Sequence, residues 1–124
     1  MFEIVVKQFV DGNRVDDWVY KTRYVKNGNA KRKANELTRE FIDHGRTYRN
    51  IAYVRKNLVC VTEDEAKEKY IHGYDVYVNS EYGKDKLRKS SEYGSHASRE
   101  ELFYRSASNF NYGNYYNGSY YIEA

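Results

Sequence analysis

FEIVVKQFVDGNRVDDWVYKTRYVK, residues 2–26, decides the fold class. Phe2 to Val10 is rich in β-branched and aromatic residues and reads as a strand. Asp11-Gly12-Asn13-Arg14 supplies turn chemistry, because glycine and asparagine accept positive φ. A second strand follows from Val15 to Lys26, where Trp18, Tyr20, Thr22 and Tyr24 alternate with Val19, Lys21, Arg23 and Val25. Strands joined by so short a turn form a hairpin, so the sheet is expected to be antiparallel.

Working outward, Asn29 is expected to N-cap a helix from Ala30 to His44. Its Ala30, Ala34, Leu37 and Phe41 make one narrow apolar stripe, and Gly45 stands at the C-terminal left-handed position. Strands are expected over Tyr48–Arg55 and Leu58–Val61. The capping box Thr62-Glu63-Asp64-Glu65 opens a helix to about Tyr70, and Tyr74 to Val78 alternates as a further strand. The order β-β-α-β-β-α-β gives an α+β fold: a small, mostly antiparallel sheet packed on one main helix.

Composition divides the chain. Of 15 tyrosines, 11 lie at or after Tyr70, while beyond Val78 only Leu87, Leu102 and Ile122 are large and aliphatic. Residues 1–78 can build an ordinary core. Residues 79–124 are expected to form a Tyr-rich C-terminal extension docked on it. There Ser98-Arg99-Glu100-Glu101 opens a helix to about Ser106. Asn117-Gly118 sets a terminal hairpin between Tyr115-Tyr116 and Tyr120-Tyr121-Ile122.

Several functions are disfavoured. No apolar run approaches the roughly 18 residues of a membrane span, and Met1 to Val10 lacks a cationic region followed by an apolar block. A cytoplasmic protein with neither membrane contact nor secretory signal is expected. One cysteine, Cys60, excludes a disulfide framework, and within Leu58-Val59-Cys60-Val61 it reads as a small buried hydrophobe. His44, His72 and His96 have no ligand at metal spacing, and no phosphate-cradling or nucleophile-elbow motif occurs. No metal and no cofactor is therefore expected. Asp16-Asp17 with Glu65-Ala66-Lys67 could be set into a metal-dependent nuclease scheme, but Glu65 falls in a capped helix, and no enzymatic activity is expected.

Charge is the most informative signal. Residues 21–61 hold 11 basic and 3 acidic side chains, net +8, inside a chain of net +3. Lys31, Arg32 and Lys33 are placed at a helix N-terminus, against the macrodipole and beside the backbone N–H groups of Asn27-Gly28-Asn29. Lys21, Arg23, Arg49 and Arg55, interleaved with Tyr53, are expected on the open face of the sheet together with Lys7 and Phe9. These residues are the candidate surface for nucleic acid or an acidic partner. Tyr115, Tyr116, Tyr120 and Tyr121 are candidates for docking the tail or for pairing with a partner, including a second copy of the chain.

The expected function is a small non-enzymatic binding protein that engages nucleic acid or a nucleoprotein complex through residues 21–56. The alternative is a protein–protein inhibitor or adaptor, such as a phage-type antagonist of a host nuclease of the anti-CRISPR or anti-restriction class. No family motif is present. A three-stranded sheet backed by one helix is similar, at the level of architecture alone, to the arm-binding domains of phage integrases, which implies DNA as the partner.

Overall fold

In the computed structural model, which describes residues 1–89, 98–110 and 116–124, two turns of the same kind organise the first half of the chain. Asp11 and Gly12 both take positive φ, 50° and 84°, and so do His44 and Gly45, 49° and 77°. Two consecutive residues in that region make the type I′ turn, whose twist matches that of paired strands. The first joins β1 (Phe2–Val10) to β2 (Asn13–Val19), and the second joins β3 (Arg39–Asp43) to β4 (Arg46–Lys56). β1 and β4 then pair antiparallel along nine residues, from Phe2↔Lys56 to Val10↔Tyr48. The result is a four-stranded antiparallel sheet in the order β2-β1-β4-β3.

One helix covers this sheet. α1 (Asn27–Leu37) buries Ala30 and Ala34 against Ile4 and Val6, with Phe2, Tyr20, Tyr24, Leu37, Ala52 and Val54 around them. Small residues on the helix let its backbone approach the sheet closely, and burial of Ile4 and Val6 contributes about 1.5–3 kcal/mol each. The helix is shorter than the apolar stripe predicts, starting three residues early and stopping seven early. Thr38 ends it: its backbone N–H and its hydroxyl both donate to the Ala34 carbonyl, each at 3.0 Å. The same hydroxyl accepts from the Ala52 N–H at 2.9 Å, tying the end of α1 to β4. Phe41 therefore lies on a strand, stacked on Tyr48 with ring centroids 5.1 Å apart, and Gly45 serves a hairpin rather than a helix end.

The chain divides into two compact units, Met1–Asn57 and Leu58–Ala124. The division falls between Asn57 and Leu58, and not at the change of composition after Val78. The physical reason is shared sheet and core. β5 (Leu58–Val61), β6 (Tyr77–Asn79), β7 (Lys84–Lys86) and β8 (Tyr120–Glu123) form one antiparallel sheet in the order β5-β8-β6-β7. The C-terminal strand is thus internal to the second sheet. It pairs with β5 from Leu58↔Glu123 to Val61↔Tyr120, and with β6 at Tyr77↔Tyr121 and Val78↔Tyr120. The expected terminal hairpin is replaced by these long-range pairs. Tyr116 donates its N–H to Phe110, and Tyr115 lies outside the described residues.

α2 (Glu63–Ile71) and α3 (Arg99–Ser108) complete the second unit, and both expected N-cap hydroxyls are used. The Thr62 and Ser98 hydroxyls each accept from the backbone N–H three residues on, at 3.2 Å. The core joins Ala66, Tyr70, Val76, Val78, Leu87, Leu102, Phe103, Ala107 and Tyr120. Phe103 is its hub, with ring centroids 5.5 Å from Tyr70 and 5.2 Å from Tyr120. Aromatic pairs of this kind contribute about 0.5–1.5 kcal/mol beyond their buried area. Cys60 is exposed rather than buried, because β5 is an edge strand. No described helix is long and apolar enough to cross a membrane.

Candidate functional site

The basic residues of the first unit are built up from the stretch that follows β2. Phe2 and Tyr24 exchange backbone hydrogen bonds at 2.7 and 2.9 Å, and the Tyr20 N–H donates to the Ile4 carbonyl at 2.8 Å. Residues 20–24 thereby run beside β1, with Tyr20 and Tyr24 packed into the core under α1. Lys21 and Arg23, between those anchors, are exposed. Lys26 is the N-cap of α1, with no side-chain cap and no acidic residue in the first turn. Because the helix begins at Asn27, Lys31, Arg32 and Lys33 stand in its second turn, where the macrodipole penalty has fallen off. They are held by exposure and not by opposition to the dipole. Lys33 bonds Glu36 at 3.2 Å and lies 5.5 Å from the Tyr20 ring centroid, and the Glu36 bond raises its pKa above the usual lysine value. Lys31 and Arg32 are exposed.

Arg49, Tyr53 and Arg55 occupy the other side of the sheet. Ala52 and Val54 of β4 face α1, so alternation points residues 49, 51, 53 and 55 away from it. The sheet thus separates Lys31, Arg32 and Lys33 on α1 from Arg49, Tyr53 and Arg55 on the far face. Their surroundings differ. Between residues 20 and 38 there are six cations, Lys21, Arg23, Lys26, Lys31, Arg32 and Lys33, and one carboxylate, Glu36.

On the far face, register sets a carboxylate beside each cation: Lys7 opposite Asp17, Arg49 opposite Glu40 and Arg55 opposite Glu3. Asp17 also forms an ion pair with Arg14. Arg55 is buried, with Nε donating to the Glu3 carboxylate at 3.0 Å, so its cation is already neutralised. Tyr53 lies beneath the Lys7 ammonium, 5.6 Å from ring centroid to nitrogen.

No family model, curated protein or solved structure matches the chain. Function therefore has to come from the groups themselves. Among the described residues, no three His, Cys, Asp or Glu side chains gather into a metal-binding group. Asp17 is engaged by Arg14 on β2, while Glu65 sits in the first turn of α2. Tyr116, Tyr120 and Tyr121 pack within the second unit. Tyr120 is buried, Tyr116 meets it edge-on with centroids 5.7 Å apart, and Tyr121 lies under the Lys84 ammonium at 4.7 Å. Burial raises the phenol pKa values of Tyr116 and Tyr120 above the usual 10.0.

Two features escape a reading by local pattern. Lys26 and Val25 belong to the same exposed stretch as Lys21 and Arg23, and Val25 is 78 % exposed. Glu40 becomes a neighbour of Arg49 only once residues 39–43 are a strand, a step that the turn residues His44-Gly45 could have signalled.

Proposed function

We propose that the chain is a non-enzymatic binding protein that engages nucleic acid, or a nucleoprotein complex, through the basic surface of its first unit. The observation that carries this is the cluster Lys21, Arg23, Lys26, Lys31 and Arg32, five exposed cations on one stretch and the helix it leads into. Among the described residues none of the five has an ion-pair partner. Unneutralised, exposed cations are what a phosphate backbone exploits through counterion release. On the far sheet face each cation stands opposite a carboxylate and Arg55 is bonded to Glu3, so that face is the poorer candidate, which revises the expected role of Arg55. Such a protein works in the cytoplasm and leaves its partner chemically unchanged, so single- and double-stranded substrates stay intact with magnesium or manganese.

Changing Lys31, Arg32 and Lys33 together to Ala tests the proposal. Affinity for duplex or single-stranded nucleic acid should drop, and the slope of log K against log salt should flatten by about 2–3. Unchanged affinity and slope would sink it. A second reading, an inhibitor or adaptor that docks on a protein, is favoured by Val25 and by Trp18, 38 % exposed on the edge strand β2. Loss of partner capture in Val25→Ser, with capture kept in the triple variant, would select that reading.

A further inference from the structure

The far face of the first sheet carries a cleft of about 310 Å³, lined by Phe9, Gly12, Glu40, Thr47 and Arg49. Its volume is at the lower end of small-ligand sites, about 300–1,000 Å³. Register builds it as a row: Phe9 on β1 is opposite Arg49 on β4, and Arg49 is opposite Glu40 on β3. Neighbouring strands are about 4.8 Å apart, so Phe9 and Glu40 stand roughly 10 Å from one another, with Arg49 between them. Among the described residues neither the Glu40 nor the Arg49 side chain has a hydrogen-bond or ion-pair partner, although they face each other. A half-buried ring, a guanidinium and a carboxylate therefore line one cleft with their hydrogen-bonding capacity unused.

We infer that this cleft takes a guanine base. Along its edge guanine offers two adjacent donors, N2–H and N1–H, and then two adjacent acceptors, O6 and N7. The two oxygens of the Glu40 carboxylate match the donor pair, and the planar fork of Arg49 matches the acceptor pair. No other common base has that order: adenine and cytosine offer one amino donor beside acceptors, and uracil one N–H between two carbonyls. Phe9 supplies the stacking face, which is tolerant of sequence and adds affinity without discrimination. The base can come from a free nucleotide or from an unpaired position in a strand. The inference shares with the proposed function only the class of ligand, since the cleft and the α1 cations lie on opposite faces of the sheet.

The full chain, labelled with nitrogen-15, is titrated with GMP, AMP, CMP, UMP and inorganic phosphate separately. GMP should shift the amides of Gly12, Glu40, Thr47 and Arg49 and bind about tenfold more tightly than the other nucleotides. Glu40→Gln, an exposed change on an edge strand, should erase that preference without moving the melting temperature. Phe9→Ala should weaken all four nucleotides by about tenfold.

A parallel competition sets a guanine-containing single strand against an adenine-only one. A guanine preference that depends on Glu40 in strands alone assigns the base to a strand, and one in mononucleotides alone assigns it to a free nucleotide. Equal binding of GMP and AMP with no strand preference, or the same shifts from phosphate alone, overturns the inference. The triple α1 variant keeps GMP binding if the cleft is right, even where the α1 surface proves not to hold nucleic acid.

Discussion

Two sheets of four antiparallel strands, one per unit, are closed in opposite ways. In the first unit both hairpins are local, and β1 and β4 then pair along nine residues. In the second unit one of the two internal strands is β8, inserted between β5 and β6, and only two pairs tie it to β6. The cores differ as well. Alanines let α1 sit close on Ile4 and Val6, whereas Phe103, Tyr70 and Tyr120 fill the space between the helices and the second sheet. So do the charges: the first unit holds 13 basic and 7 acidic residues, the second 8 and 11. A unit closed by local turns can commit its surface to cations, while the second unit holds a strand paired over long range with large aromatic side chains.

The largest expected effect follows from removing residues 120–124. Deleting β8 takes away the partner of both β5 and β6 together with the buried Tyr120 ring, so the second sheet should lose its amide protection. Amides paired between β1 and β4 should keep theirs. Hydrogen exchange reads both at once, and protection retained at 58–61 and 77–78 would break the contrast.

Next in size are two substitutions that act in opposite senses. Phe103→Ala empties the hub of the second core and should cost about 3–5 kcal/mol. Ala34→Leu overfills the close approach of α1 to its sheet and should cost about 1–3 kcal/mol. Denaturant unfolding followed by probes in each unit separates them. A larger loss from Ala34→Leu than from Phe103→Ala would reverse the account of the two cores.

The same contrast explains what could be read from the sequence. Positive φ at Asp11-Gly12 and the capping hydroxyls of Thr62 and Ser98 are decided within four residues, and those elements stand where local chemistry puts them. The end of α1 was not legible, because Phe41 continues a helical stripe as well as it continues a strand. What stops the helix is the hydroxyl of Thr38 reaching Ala52, fourteen residues away. β8 was legible as a strand but not as an internal one, since Asn117-Gly118 looks like a local hairpin turn while the partners lie 42 to 65 residues back. Among the candidate site residues, exposure of Lys21, Arg23, Lys31 and Arg32 followed from their spacing against the apolar positions. Burial of Arg55 beside Glu3 depended on the pairing register of strands about 50 residues apart.

The smallest expected effect sharpens the comparison through pH. Burial in the second core, with the Tyr116 hydrogen bond adding to it, favours the neutral phenol of Tyr120, so its folded pKa lies above the unfolded 10.0. Below pH 10 both states hold the proton, and the stability linked to this group is fully present. Above pH 10 the unfolded chain releases the proton while the folded chain keeps it, so stability falls as pH rises towards the folded pKa. Tyr120→Phe keeps the ring on Phe103 and removes the titrating group. Between pH 10 and pH 11.5 the melting temperature of the second unit should therefore fall less steeply in the variant than in the parent. Identical slopes would mean that Tyr120 ionises equally well in both states, and that the terminal strand is not held by a buried phenol.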